Sequence, residues 1–249
     1  MRIAVAGGTG TVGRHVVDAA ARRGHDVVVL SRHEGVDVLG GAGLDAALAG
    51  ADAVVDVLNT TTLSARAATA FFSGTTRSLL AAGTRAGVRH HVALSIVGID
   101  GTDAAYYAGK LAQERLLAGS GSPHTIARAA QFHEFAEQVT ARTSLGPVTV
   151  VPRTLCRPVA AREVAEHLVE VAEAGPTGRA PDLVGPRDET LADMVRRLAA
   201  HDGTRRRVLD VRLPGRYGAG LASGDLRGDG GPRRVGRTTF DEWLDSRGR

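Results

Sequence analysis

The chain of 249 residues has almost no lysine: of its 31 basic residues one is Lys110 and the rest are arginine. Arg and Lys replace one another on most surfaces, but not where a compact ammonium is needed. Cysteine is equally rare. Cys156 stands alone, so an internal disulfide is excluded, and nothing near it has the spacing of a metal site. It reads as a small buried filler. Aromatic residues are only 4% of the chain, which leaves Val, Leu, Ile and Ala to build the core of a chain that is 43% hydrophobic. No apolar run approaches the ~20 residues that a membrane span needs. The first residues enter an apolar run at once, without the layout of a secretory signal, so a cytoplasmic location is the expectation.

Proline is also scarce at first. Pro123 is the only one before Gly146, and the other eight follow it. The change of grain divides the expected architecture into residues 1–145 and 146–249. Charge is uneven as well. Residues 205–249 carry eleven Arg against six acids, a balance of +5 in a chain of net charge +4. Without interleaved aromatics or a recognition motif, this reads as a solvated arginine-rich surface, and no nucleic-acid partner is expected.

Short apolar runs alternate with helical spacing through the first part. Strands are expected at 2–6, 26–30, 53–58, 91–97 and 124–129, with a stub at 36–39. Helices are expected at 11–23, 44–48, 66–86, 104–118 and 131–143. The run AVVDVL is apolar enough for burial on both faces, so a parallel sheet wrapped by helices is predicted, an α/β doubly wound sheet. The later part promises helices at 160–174 and 189–200, and a short docked one around Trp243.

The turn after the first strand reads Gly7-Gly8-Thr9-Gly10-Thr11-Val12-Gly13, a GxGxxG between strand and helix. Glycines let the backbone approach a pyrophosphate, and the helix N-terminus faces it with free N–H groups. The second strand ends Leu30-Ser31-Arg32, without the acid that would accept from a free ribose 2′-hydroxyl; Arg32 lies 19 residues beyond Gly13, near the expected offset. A guanidinium there suits the 2′-phosphate of NADP(H).

Tyr106 and Lys110 form Y-x-x-x-K on one helical face, and Ser95 lies 11 residues earlier at a strand end. A phenol is a poor acid near neutrality, and a neighbouring ammonium brings it toward useful range. The same Lys110 can hydrogen-bond a nicotinamide ribose, while Ser95 can hold a substrate carbonyl oxygen. Tyr107, Gln131, Phe132 and His133 read as the lining of a mostly apolar substrate pocket; His90 and His91 read as structural.

With AVAGGTGTVG, SRH, LSIVG, YYAGKLAQE, TIARAAQFHEF and PVAAREVAEHL in this order, the chain resembles the atypical short-chain dehydrogenase/reductases, the NmrA-like and isoflavone-reductase-like proteins, over nearly its whole length. The resemblance implies a Rossmann core with a small C-terminal substrate lobe. It puts Gly7, Thr9, Gly10, Thr11, Val12 and Arg32 at the cofactor, and Leu58 and Asn59 on its adenosine side. Ser95, Tyr106 and Lys110 match its catalytic positions. Two features depart from the group. Many relatives carry Gly-Asp after the third strand where this chain has Leu39-Gly40-Gly41-Ala42-Gly43, and the spacing from Ser95 to Tyr106 is short. The expected activity is NADP(H)-dependent reduction of a small-molecule carbonyl. The rival is a non-catalytic NADP(H) sensor, since the group contains both.

Overall fold

A computed structural model describes residues 1–228 and 230–247. In chain order the elements are β1 (Arg2–Ala6), α1 (Thr11–Arg22), β2 (Asp26–Leu30), α2 (Leu44–Leu48), β3 (Ala53–Asp56), α3 (Ala65–Ala86), β4 (His90–Ile96), α4 (Ala105–Ala118), β5 (His124–Ala129), α5 (Phe135–Thr143), β6 (Ser144–Leu145), β7 (Val148–Pro152), β8 (Leu155–Cys156), α6 (Ala161–Ala174), β9 (Gly178–Arg179), β10 (Asp182–Val184), β11 (Glu189–Thr190), α7 (Leu191–His201), β12 (Arg207–Val211), α8 (Gly215–Ser223), β13 (Arg233–Val235) and α9 (Phe240–Ser246). They fall into two compact units. One is Met1–Ser95, Ala104–Arg128 and Arg162–Ala180; the other is Ile96–Asp103, Ala129–Ala161 and Pro181–Arg249. Where the sequence reading divides the chain at 145/146, these units interleave along it.

The first unit is built on strands in the order β2-β1-β3-β4-β5, with β9 beside β5. β1 pairs in parallel with both β2 and β3, Ala4 lying opposite Val28 on one side and Val54 on the other. All four residues of β3 are buried, as the unbroken apolar run requires for a strand covered on both faces. The chain leaves β1 toward β2 and passes to β3 on the other side, so the strand order reverses between β1 and β3. In open α/β sheets that reversal opens a crevice at the carboxyl ends of the strands. The resulting architecture is a Rossmann-like α/β fold with a mostly parallel sheet and flanking helices.

The expected stub at 36–39 is not a strand. Asp37 accepts from the backbone N–H of Leu39 through Oδ1, and Gly41 and Gly43 take left-handed φ angles of 82° and 77°. These local bonds curl the chain, while Val36 and Val38 still reach the core with Leu44, Leu48 and Leu79. β2 is left at the sheet edge, with only Leu30 fully buried. The last helix of this unit, α6, buries Val164, Ala165, Leu168 and Val169. It is tied by Glu173, which accepts from Arg23 and pairs with the His25 ring.

In the second unit, β7 carries β12 in parallel and β6 antiparallel, β10 pairs with β13 in parallel, and β8 pairs with β11 antiparallel. These short strands were not expected from sequence. α5 begins at Phe135 rather than 131, because Gln131 and Phe132 are extended against Val159. The docked terminal helix is α9. Its Thr239 cap accepts from the Glu242 N–H while Glu242 takes the Thr239 N–H, and it buries Phe240, Trp243 and Leu244.

Candidate active site

The glycine turn is tight for a physical reason at each step. Gly7 has φ +85, and the N–H of Gly10 donates to its carbonyl at 2.9 Å. A Cβ on Gly13 would stand 2.0 Å from the Gly7 oxygen and 2.7 Å from Gly8 Cα, so only glycine lets α1 start this close to the turn. A Cβ on Gly7 would press on Val57 and Leu58, the residues after β3. The turn and the β3 end therefore meet at the crevice. α1 starts after Gly10 with no side-chain cap, leaving its first N–H groups to an outside acceptor. Thr9 and Thr11 stand on this turn, and Val12 is buried beneath it.

Arg32 opens a short 3-10 turn after β2, where Ser31 accepts from the Glu34 N–H. It is exposed and makes no ion pair or side-chain hydrogen bond among the described residues. A backbone cradle that a Cβ would fill, and a free guanidinium at the end of β2, fit a dinucleotide. Gly7, Thr9, Gly10, Thr11 and Val12 would hold its phosphates, and Leu58 and Asn59 would flank it.

Two other site residues meet as a pair. The Tyr106 hydroxyl donates to Asn59 Oδ1 at 2.8 Å, and the phenol packs edge-on to Phe72. Ala105, just before it, has φ +48, the one non-glycine residue with positive φ among those described. Ser95 is 2% exposed, and its Oγ is buried with no hydrogen-bond partner. A buried hydroxyl left unbonded costs stability unless a ligand completes it.

Lys110 is not where the spacing suggested. It is buried, and Nζ donates to the Leu94 carbonyl at 2.9 Å and to Gln113 Oε1 at 3.0 Å, while standing 4.2 Å from the centre of the Phe72 ring. Two of its three protons thus have acceptors within the protein. Gln113 in turn donates to Asp56 Oδ2 at 2.8 Å, and Asp56 Oδ1 accepts from the Leu58 N–H at 3.0 Å. Burial pushes Lys110 down to about 8, opposed by the charges of Asp56 and Glu114; burial raises Asp56, opposed by Lys110. Asp56, Gln113 and the Phe72 face were missed in the sequence. The one signal was a carboxylate inside the apolar run AVVDVL.

The remaining pocket candidates divide. Gln131 and Phe132 are half-buried, but Tyr107 is 3% exposed and His133 only 1%. His133 Nε2 contacts the Thr238 carbonyl at 3.0 Å, and its ring packs on Phe240 and Trp243, so it belongs to the core of the second unit rather than to a pocket lining. Cys156 is buried, its thiol pushed up to about 12 by burial. No cluster of His, Cys, Asp or Glu among the described residues could hold a metal ion. No helix among them is long and apolar enough to cross a membrane.

The NAD(P)H-binding family matches residues 7–174, from the glycine turn to the end of α6. The chain belongs to that family. No curated protein matches it. Among solved structures it is similar to the Escherichia coli NADPH-dependent quinone oxidoreductase QOR2 complexed with NADPH (18% identity, 99% of this chain and 100% of that one, TM-score 0.74). It is also similar to the Citrobacter triphenylmethane reductase complexed with NADP(H) (16% identity, 99% of each chain, TM-score 0.67). A third is the Thermus thermophilus UDP-glucose 4-epimerase complexed with NAD (19% identity, 98% and 99%, TM-score 0.70). The shared fold is thus the Rossmann-like fold of the NAD(P)H-binding family, and a nicotinamide dinucleotide is the cofactor class.

Proposed function

We propose that the protein is an NADPH-dependent reductase acting on a carbonyl or conjugated carbonyl of a small molecule. The observation that carries the reading is Ser95 Oγ, a buried hydroxyl with no partner, in a chain that also holds a phenol on Asn59. Bound NADPH supplies the hydride. Tyr106 gives its proton to the substrate oxygen, Ser95 donates to that same oxygen, and water returns a proton to Tyr106. Asn59 holds the phenolic oxygen in place between turnovers. Arg32 selects the phosphorylated dinucleotide, because its guanidinium makes a charge-assisted contact with a 2′-phosphate that is stronger than any it makes with a free 2′-hydroxyl. Lys110 acts through its charge and by holding the Leu94 carbonyl, one residue before Ser95. Similarity to a quinone reductase and a triphenylmethane reductase supports conjugated acceptors as the first substrates to try.

A second reading is a non-catalytic NADP(H) sensor, and one observation favours it: Lys110 is buried and already donates to the Leu94 carbonyl and to Gln113. The deciding experiment is NADPH oxidation by the purified protein over a panel of quinones, ketones and enones, with Tyr106→Phe beside it. Turnover that falls by ~10²–10⁴ in the variant, at unchanged NADPH affinity, supports the reductase. NADPH binding with no turnover across the panel supports the sensor.

A further inference from the structure

We infer that Asp56 and Gln113 are positioning residues for Lys110, a buried carboxylate–amide–ammonium chain that ties the ends of β3 and β4 to α4. The inference deepens the reductase reading, and its kinetic arm rests on that reading.

Three polar side chains share one dry place. Asp56 is 5% exposed, Gln113 0% and Lys110 3%. Gln113 lies three residues after Lys110, on the same face of α4. Its amide can sit only one way round. Oε1 accepts from the ammonium and Nε2 donates to the carboxylate. The flipped amide would set N–H against N–H at one end and oxygen against oxygen at the other. The amide therefore passes charge complementarity from one ion to the other, and each buried charge is compensated by a partner it does not touch directly. The two ends of the chain reach the two segments that carry the proposed chemistry. At one end Asp56 takes the Leu58 N–H, and the next residue, Asn59, accepts the Tyr106 hydroxyl. At the other, Lys110 holds the Leu94 carbonyl, and the next residue is Ser95.

The charged groups facing Lys110 are few. Asp56 faces it from β3 and Glu114 from α4, and α3 presents the uncharged Phe72 ring. Glu114 is already engaged by Arg128 of β5, at 2.8 and 2.6 Å. Asp56 is left as the carboxylate whose loss the ammonium should register.

Lys110 being the only lysine gives the test a single probe. Chain labelled with isotope in lysine alone gives one side-chain signal, which is titrated in the cofactor-free protein by NMR. The wild-type midpoint is expected at about 8. In Asp56→Asn, and in Gln113→Met, which keeps the volume and removes the amide, the midpoint should fall by about one unit or more. Gln113→Glu, which restores an acceptor, should bring it back to wild type or above. On any substrate that turns over, the alkaline limb of the kcat/KM profile should move down with the midpoint in the first two variants, while a merely structural role would lower stability and leave that limb in place. Circular dichroism checks each fold, and if Asp56→Asn does not fold, the two Gln113 variants carry the comparison. An unchanged midpoint in folded Asp56→Asn or Gln113→Met overturns the inference. Shifted midpoints in a protein that binds NADPH but turns nothing over would keep the chain of contacts and remove the reductase reading.

Discussion

Replacing Lys110 by methionine removes the buried ammonium and keeps most of the side-chain volume. The structure sets both the sign and the size of the effect. A lysine held at about 8 in the fold, against an ordinary 10.5, is protonated in both states below pH 8, and there the cost of burying its charge is fully present. Between those two values the folded protein has lost the proton and the unfolded chain still binds it, so stability rises with pH. The full gain is about 3 kcal/mol, and most of it is reached by pH 10. Other groups titrate in that range too, but they do so in both proteins. The quantity to measure is thus a difference of differences: urea unfolding of wild type and Lys110→Met at pH 7 and at pH 10. Wild type should gain on the variant by about 2–3 kcal/mol over that interval. Parallel stability curves would refute the reasoning, for they would mean that the amine is as well solvated in the fold as outside it.

Three further outcomes follow from single contacts. Arg32→Ala should weaken NADPH binding by about 1.5–3 kcal/mol and leave NADH binding alone; calorimetry reads both, and equal losses would refute the phosphate contact. Gly13→Ala should abolish NADPH binding and cost about 1–3 kcal/mol or more in thermal or urea unfolding, since the three atoms nearest its Cβ are backbone that cannot swing aside. Glu114→Gln should cost about 1–3 kcal/mol in urea unfolding, because it weakens two charge-assisted hydrogen bonds to the Arg128 guanidinium, which is 2% exposed; an unchanged stability would show that solvent reaches the pair.

The parts of this protein that were legible in the sequence are those governed by neighbours along the chain. The glycine turn, the lack of an acid at the end of β2, and the longer strands and helices of the first unit follow from local spacing, whereas β9, two residues paired with β5, does not. At 36–39 local chemistry also ruled, but against the pattern: Asp37 and two left-handed glycines outweigh two valines that a periodicity argument reads as strand. The Y-x-x-x-K spacing pairs Tyr106 with Lys110, and both pack on Phe72, but it says nothing of what the ammonium donates to. Its acceptors come from Leu94, 16 residues away, and through Gln113 from Asp56, 57 residues from that glutamine. Those distances close only when β3, β4 and α4 are packed. His133 was misjudged for the same reason, since Thr238, the partner of its Nε2, lies 105 residues on.

The interleaving of the two units has a consequence for synthesis. The first unit needs residues 162–180, because α6 covers it and β9 completes the pairing beside β5. A chain emerging from the ribosome makes β5 about 50 residues before β9, an interval of several seconds at ~5–20 residues per second. For that time the outer edge of β5 has no β9, and an unpaired edge is a template for a neighbouring chain. A fragment ending at residue 145 would hold the molecule in that condition permanently. Such a fragment carries the whole glycine turn, Tyr106 and Lys110, and yet it is expected to aggregate rather than to serve as a minimal dinucleotide-binding domain.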